Sequence, residues 1–274
     1  MKQISSKDNA VFKSIRRLAR SSRARRDEGK IILDGVHLVR AYRERFGAGA
    51  MQLVVRRSAG NDLEIAALVE GTTSVTMTDA LFDQASPVQS PAGILALAPL
   101  PTVTTASAGR GFAVLLDGVQ DPGNVGTVLR AAAAAGARRA HLSADCADPW
   151  SPKCLRGGMG AQFLLKVDQH ASLVSVARSL ESRLVACTAD ATTSVFDADL
   201  QGDLAFIVGG EGAGISHELL AMAHQKIRVP MRAGVDSLNV GAAAAVCFYE
   251  WLRQALAGRN MDGWGNEPTF VGMR

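Results

Sequence analysis

Short, continuous apolar runs in the second half of the chain restrict the fold more than any other feature. FAVLLD (Phe112–Asp117), RLVACT (183–188) and LAFIVG (204–209) lack the apolar–polar alternation of a strand with one face in water. Strands of this kind are buried on both faces, which is typical of a parallel sheet covered by helices. Between and after them lie two alanine-rich helical segments, VGTVLRAAAAAG and NVGAAAAVCFYEWLRQAL. The sequence therefore predicts an α/β fold with a parallel sheet.

The first hundred residues predict a smaller α/β unit with shorter elements. Apolar spacing indicates helices at 8–20, 36–46 and 63–70 and strands at 30–35, 51–56, 73–77 and 93–98. The segment PLPTVTTASAGRG that follows is rich in Pro, Gly, Ser and Thr, as linkers are. We therefore expect an N-terminal domain at 1–98, a linker at 99–111, a larger domain at 112–257 and a flexible tail at 258–274.

Positive charge is concentrated at the start of the chain. Residues 1–45 hold thirteen Lys and Arg against five Asp and Glu, a net charge of +8, so the rest of the chain carries −4 of the total +4. Such a basic segment suits a polyanion, because each cation that meets a phosphate releases condensed counterions. A solvated helix face without a partner is the alternative.

The composition excludes several classes of protein. The chain is 47% hydrophobic and 20% charged, which is too apolar for a disordered protein. Its longest apolar run, near Gly241–Phe248, is shorter than the ~18–20 residues of a membrane span, and the N-terminus has no apolar signal core. The four cysteines form no CxxC pair, so neither a disulfide framework nor a zinc site is expected. We expect a cytoplasmic protein that uses no membrane and no metal.

Three stretches of the second half carry polar residues at strand ends. In the first stretch, Asp117–Gly136, Asn124 stands where a helix N-cap belongs, and Arg130 lies six residues further on among small apolar residues. A guanidinium in such surroundings can hold a phosphate or a carboxylate. A plain cap and a surface arginine are the alternatives for these two residues.

In the second stretch, Phe206–Leu220, an apolar strand leads into glycines that surround Glu211. The pattern matches the G-x-G-x-G of Rossmann-type methyltransferases, but the rest of the chain holds only one strand and one long helix. The βαβ unit that this fingerprint needs is therefore missing. We interpret the glycines as positions where a bulky ligand approaches the backbone, with a ligand-free glycine turn as the alternative.

In the third stretch, Ile227–Glu250, a short strand ends at Pro230, and Ser237-Leu238-Asn239 stands at the entry to the last helix. Ser237 and Asn239 have capping as their simplest role. In open α/β sheets, however, ligands bind at the carboxyl ends of strands. The shared design of the three stretches therefore predicts that they converge on one pocket.

These stretches resemble motifs 1, 2 and 3 of the SpoU (TrmH) family of RNA ribose 2′-O-methyltransferases, which use S-adenosyl-L-methionine (AdoMet). The resemblance rests on Asn124-x5-Arg130, on the Gly-x-Glu that ends at Glu211, and on Pro-Met…Ser-Leu-Asn-Val in the third stretch, and it covers about residues 112–255. ILDGVHLV and SPAGILAL in the first half resemble the L30e-type substrate-binding domain of many rRNA-modifying members.

The resemblance implies a fold, a cofactor and a set of site residues. It implies a SPOUT-type catalytic domain with a deep trefoil knot, an exception to the unknotted rule, and a homodimer. AdoMet would be held largely by backbone groups, at Gly209, Gly210, Val229, Pro230 and Leu238. The catalytic set would be Arg130, Asn124, Glu211, Ser237 and Asn239. The expected substrate is RNA, with 23S rRNA favoured over tRNA.

Within this expectation Arg130 binds the substrate phosphate and stabilises a developing alkoxide, because a guanidinium that stays protonated is a poor base. A basic helix over residues 8–30 would bind RNA phosphates, with Arg23, Arg25 and Arg26 among the contacts. Two other classes remain open: a non-catalytic RNA-binding protein on the same scaffold, and a nucleotide-using enzyme with a small substrate. A housekeeping role and antibiotic resistance both remain open as well.

Overall fold

The computed structural model describes residues 2–49, 51–88, 90–103 and 111–257. Two sheets organise these residues, one in each half of the chain. The expected tail at 258–274 and the centre of the expected linker, residues 104–110, lie outside the described residues. The division into domains therefore stays a prediction.

The first half holds a five-stranded mixed sheet. Its strands are β1 (Lys2–Ile4), β2 (Lys30–Asp34), β3 (Gln52–Arg56), β4 (Thr73–Met77) and β5 (Ile94–Pro99). Its helices are α1 (Ala10–Arg20), α2 (Ser22–Glu28), α3 (Val36–Phe46), α4 (Leu63–Val69) and α5 (Asp79–Ala85), with a 3-10 turn at Arg57–Ala59. The strand order is β1-β4-β3-β5-β2. Strand β5 runs antiparallel to β2 and β3, while β1, β3 and β4 are parallel.

The helix that apolar spacing predicts at 8–20 is confirmed as α1. The basic helix expected over residues 8–30 is wrong as a single element, because the chain breaks at Ser21. Ser21 adopts an extended conformation and its hydroxyl accepts from the Ala24 N–H, so it caps a separate helix, α2. The periodicity also missed β1 and α5. Strand β1 has only three residues, too few for a periodic pattern to stand out.

The second half holds a seven-stranded sheet in which every pairing is parallel. Its strands are β6 (Ala113–Asp117), β7 (Arg139–Leu142), β8 (Lys166–Asp168), β9 (Arg183–Cys187), β10 (Thr193–Ser194), β11 (Leu204–Gly209) and β12 (Gln225–Arg228). Its helices are α6 (Pro122–Ala134), α7 (Pro152–Gly158), α8 (Leu173–Ser179), α9 (His217–Met222) and α10 (Val240–Ala257), with a 3-10 turn at Ala161–Phe163.

The strand order in this sheet is β10-β12-β9-β11-β6-β7-β8. Strand β12 therefore lies between β9 and β10, two strands that follow each other along the chain. The register places Ile227 beside Cys187 on one side and beside Thr193 on the other. Because all the strands are parallel, their carboxyl ends meet at one edge, which we call the carboxyl edge.

Helices cover both faces of the parallel sheet, as the apolar strand runs predict. On one face, α6 and α10 pack on the sheet through a core that includes Val128, Phe206 and Phe248. On the other face, α8 and α9 pack through Leu173, Leu219 and neighbouring apolar side chains. Of the helices described, none is both long and apolar enough to cross a membrane.

The two halves share one apolar cluster. Tyr42 and Phe46 of α3 pack edge-on against Phe163 of the second half, with ring centroids 5.5 and 5.9 Å apart. Beside this cluster, the Arg25 guanidinium donates to the Asp148 carboxylate at 2.5 and 2.8 Å. Both side chains are largely buried, with exposed fractions of 5% and 12%. A packed core and a buried ion pair therefore join the halves.

Candidate active site

The three stretches singled out by sequence all leave the parallel sheet at its carboxyl edge. The first follows β6, the second follows its neighbour β11, and the third follows β12, on the far side of β9. The structure thereby confirms the expected placement of the three stretches at one edge. The third stretch departs in detail, because its strand ends at Arg228 rather than at Pro230.

The N-cap of α6 is Asp121, and the expectation that Asn124 caps this helix is wrong. The Asp121 carboxylate accepts from the N–H groups of Gly123 and Asn124 at 2.7 and 3.0 Å. A hydrogen bond from Lys153, at 2.6 Å, and the two backbone N–H groups hold the pKa of Asp121 below its usual range. Asn124 is thus the third residue of the helix, and its side chain is free to bond elsewhere.

Asn124 connects the three stretches. Its amide nitrogen donates to the Glu211 carboxylate of the second stretch. Its amide oxygen accepts from the Asn239 side chain of the third stretch at 2.8 Å. Asn239 in turn caps α10, because its amide oxygen accepts from the N–H groups of Gly241 and Ala242. We call this hydrogen-bonded set, Asn124, Glu211 and Asn239, the three-loop cluster.

Asp117 was not identified from the sequence, yet it holds the second stretch in place. Its carboxylate accepts from the Ser216 N–H at 2.8 Å, and its carbonyl accepts from the Gly210 N–H at 2.9 Å. Its signal was its position as the last residue of an apolar strand. The loop that its carboxylate contacts can be predicted only when the strand order is known.

The glycines after β11 are required by the chain's own packing. A Cβ on Gly209 would overlap the backbone of Gly214, and a Cβ on Gly210 would overlap the carbonyl of Gly118. The interpretation that these two glycines make room for a ligand is therefore incomplete. Gly212, in contrast, has open space where a Cβ would stand, and Glu211–Gly214 is exposed.

The third stretch presents an exposed loop between β12 and α10. Val229 packs against the core of the parallel sheet, while Pro230 and residues 231–239 are exposed. Leu238 is 41% exposed although it is apolar. Ser237 makes no hydrogen bond within the described part of the chain, so the structure leaves it outside the three-loop cluster.

Arg130 lies on α6, away from the three-loop cluster. Six residues separate it from Asn124, which places the two side chains about 120° apart around the helix and ~9 Å apart along it. Arg130 is exposed and lines a different concavity, together with Arg45 and Met159. It makes no hydrogen bond or ion pair with any residue that the structure describes.

The described residues contain no group of three or more His, Cys, Asp or Glu side chains that could hold a metal ion. The polar groups of the three-loop cluster are two amides and one carboxylate, joined to each other and to backbone N–H groups. Such a set can fix the relative positions of three loops and orient a hydroxyl-bearing ligand.

Comparison with known proteins identifies relatives along nearly the whole chain. The model of the SpoU rRNA Methylase family matches residues 111–249. The chain is 30% identical over 261 residues to the Uncharacterized tRNA/rRNA methyltransferase slr1673 of Synechocystis, covering 93% of this chain and 94% of that protein. It is also 30% identical to the 23S rRNA (guanosine(2553)-2'-O)-methyltransferase RlmP of Bacillus subtilis, over 91% of this chain and 98% of that one.

Solved structures show the same architecture. A crystal structure of an RNA 2'-O ribose methyltransferase matches with a TM-score of 0.80 and 28% identity, covering 93% of this chain and 99% of the other. The match thus extends over most of both halves of the chain.

Proposed function

The chain belongs to the SpoU rRNA methylase family, and from this premise we propose that it transfers a methyl group from AdoMet to a ribose 2′-hydroxyl of RNA. The observation that carries the proposal is the three-loop cluster, because it joins the three stretches that resemble the family's motifs at one point of the carboxyl edge. Ligands bind at this edge in open α/β sheets.

We propose 23S rRNA as the substrate, in preference to tRNA. The Bacillus subtilis relative, whose name specifies a guanosine 2′-O position in 23S rRNA, aligns with both halves of this chain. The basic first half adds a surface suited to a large, structured polyanion. We propose the cytoplasm as the location of this activity.

The residues at the carboxyl edge fit AdoMet. The exposed apolar side chains of Met231, Val235 and Leu238 suit an adenine ring, and the uncovered backbone around Gly212 suits a close approach. Within residues 231–239, which are all described, only the Val235 N–H reaches another backbone carbonyl. The remaining N–H groups of this loop are available to donate to a ligand.

We propose that backbone groups of Gly209, Gly210, Val229, Pro230 and Leu238 hold AdoMet. The chemistry that AdoMet supplies when bound is a methyl group activated on a sulfonium sulfur. The residues of the chain then have two tasks: to align the ribose hydroxyl with that methyl group, and to stabilise the charge that develops on the 2′-oxygen.

Arg130 has the second task in this proposal. Its guanidinium is exposed and unbonded within the described residues, so it can bind the phosphate beside the target ribose and stabilise negative charge on the 2′-oxygen. A guanidinium only donates hydrogen bonds, so the hydroxyl proton passes to water or to phosphate. Asn124 and Asn239 orient the ribose, Glu211 fixes the second stretch through Asn124, and Ser237 donates to the substrate.

We propose a homodimer as the active form. In a single chain the three-loop cluster and Arg130 occupy different sides of α6, so one copy alone does not bring the guanidinium to the cluster. A second copy that packs across α6 would supply an Arg130 to each site. The exposed Tyr249 on α10, a helix packed against α6, is an apolar group that such an interface would cover.

Two finer features of the fold are also proposed. A deep trefoil knot at the C-terminal end is supported by the position of β12 between β9 and β10, because the chain between β9 and β10 must pass across β12. An L30e-type domain at 1–98 is supported by the separate mixed sheet of the first half. The linker at 99–111 and the catalytic domain at 112–257 follow from that division.

A methyl-transfer assay tests the proposal. The full chain, tritiated AdoMet and unmodified rRNA transcripts are incubated, with tRNA transcripts in parallel. We expect label in 23S rRNA and little in tRNA. Label in tRNA alone would show that tRNA, and not 23S rRNA, is the substrate. RNA binding without methyl transfer would favour a non-catalytic role.

A further inference from the structure

A groove between the two halves contains Arg130 and is not part of the three-loop cluster. It has a volume of about 470 Å³ and lies between α3, α6 and the turn that follows α7. We call it the interdomain groove. Its lining includes Glu44, Arg45, Arg130, Ala134, Met159 and Leu164. Cavities of roughly 300–1,000 Å³ are the usual size for ligand sites, so the groove is large enough for one nucleotide.

Two guanidinium groups without partners stand in this groove. Arg45 and Arg130 are exposed, and neither makes a hydrogen bond or ion pair with the residues that the structure describes. Other arginines of α3 are engaged: Arg40 pairs with Glu64, and Arg43 donates to the Ala67 carbonyl at 2.8 Å. With one carboxylate, that of Glu44, the groove carries a net positive charge. A phosphodiester fits this balance.

The groove also exposes apolar side chains next to these charges. Met159 is 42% exposed and Leu164 is 59% exposed, although both are large and apolar. Met159 has a φ of +50°, a left-handed conformation that side-chain-bearing residues rarely adopt. It lies between Gly158 and Gly160, and the turn holds it on the groove. Apolar side chains of this kind pack against the faces of unstacked bases.

We propose that the interdomain groove binds one nucleotide of the RNA strand, with its phosphate between Arg45 and Arg130 and its base against Met159 and Leu164. This inference rests on the proposed function, since it names where the substrate of that reaction lies. It assigns Arg45, Met159 and Leu164, which belong to none of the three stretches, to substrate positioning.

Two arguments favour RNA over another occupant. The groove is continuous with Arg130, so a strand bound there leads directly to the guanidinium that the reaction uses. The combination of unpaired guanidinium groups with exposed apolar surface also matches single-stranded RNA, which offers phosphates and unstacked bases together.

Steady-state methyl transfer to 23S rRNA transcripts tests the proposal, with three variants. We expect Arg45→Gln to raise the KM for RNA about tenfold, since it removes a charge-assisted contact, and to change kcat and AdoMet affinity little. We expect Met159→Gly to raise this KM roughly fivefold, since a base loses its contact, while glycine adopts the same backbone conformation without strain. Arg178→Gln is the control, because it removes an exposed arginine from α8, on the opposite face of the sheet.

A wild-type KM in both groove variants would overturn the proposal. A change of sedimentation mass in these variants would also overturn it, because the groove would then be an interface between copies. If the wild-type chain transfers no methyl group, the proposed function fails, and the anisotropy of a labelled single-stranded RNA decides the groove separately. In that assay weaker binding by Arg45→Gln than by Arg178→Gln supports the groove, and equal binding contradicts it.

Discussion

The basic helix pair α1–α2 and the carboxyl edge of the parallel sheet use their polar side chains in different ways. In the helix pair, charges are largely paired with charges: Arg25 with Asp148, Arg17 with Glu28 and Arg23 with Asp27. At the carboxyl edge, two amides and a carboxylate bond to each other, while Arg130 on the helix that starts there has no partner among the described residues. A segment of sequence that is rich in charged residues is therefore not necessarily the segment whose charged groups are free to bind a ligand.

The largest expected effect concerns Arg130. If it stabilises charge on the reacting oxygen, Arg130→Ala lowers kcat at least about a hundredfold, the usual effect of removing such a donor. AdoMet affinity stays within about twofold of wild type, because the backbone groups proposed to hold AdoMet do not include Arg130. Single-turnover transfer and calorimetric titration measure the two quantities. A variant that keeps near-normal turnover would remove Arg130 from the reaction.

Substitution of Arg25, in contrast, is expected to lower the stability of the protein and to leave RNA binding nearly unchanged. Arg25→Ala leaves the Asp148 carboxylate largely buried without its partner, so we expect the free energy of unfolding to fall by about 3 kcal/mol. RNA affinity of the folded variant is expected to stay within about twofold. Urea denaturation and filter binding give these values. The matched change Arg23→Ala, in an exposed pair, costs about 0.5 kcal/mol or less. Equal losses in the two variants would contradict a structural role for Arg25.

The expected RNA contact through Arg25 is therefore wrong, because the Arg25 side chain is buried. Its guanidinium bonds both the Leu18 carbonyl and Asp148, and its 5% exposure leaves no surface for a phosphate. Arg26 lies beside His170 at 3.3 Å but stays exposed, so its expected contact remains a prediction.

The buried carboxyl group of Asp34 makes the stability of the protein depend on pH. Burial raises the pKa of Asp34 from 3.8 to about 6, although Arg156 and Ser86 lower it. The folded chain then binds this proton more tightly than the unfolded chain does, so stability from this group falls as pH rises from about 4 to 6. We expect Asp34→Asn to stabilise the protein by about 1–2 kcal/mol at pH 7.5 and to have little effect at pH 4. Chemical denaturation at both pH values, with the exposed Asp145→Asn as control, measures this. A gain that is independent of pH would exclude ionisation as its cause.

The smallest expected effect belongs to the outer face of α1. Lys7 and Arg20 line a shallow cleft around Phe12 and make no hydrogen bond or ion pair with the described residues. Arg20→Gln is expected to weaken RNA binding a few-fold and to reduce the slope of log affinity against log salt by about 1. Arg17→Gln, whose charge is paired with Glu28, should change the slope less. Binding isotherms at several salt concentrations separate the two; identical slopes would show that pairing does not control binding.

Much of the fold could be predicted from apolar spacing. The helix at Val36–Phe46 and the strand at Thr73–Met77 match to the residue, because each has a clear period and the helix is bounded by glycines at both ends. The position of β12 between β9 and β10 could not be predicted, since pairing partners are not encoded in the local pattern.

The site was predicted less completely than the fold. Asp121 and Asn124 are both capping residue types, and the sequence alone suggested the wrong one. Pro122, which favours the first helical position, was the signal that pointed to Asp121. The close approach of Gly209 to Gly214 depends on tertiary geometry, so a motif could identify the glycines but not what they contact.

The position of the transferred methyl group tests the central claim most directly. Tritium-labelled rRNA from the wild-type reaction is digested with alkali, which cleaves only beside a free 2′-hydroxyl. The account predicts label in alkali-resistant dinucleotides from a single site of 23S rRNA. Label released entirely as mononucleotides would place the methyl group on a base and contradict it.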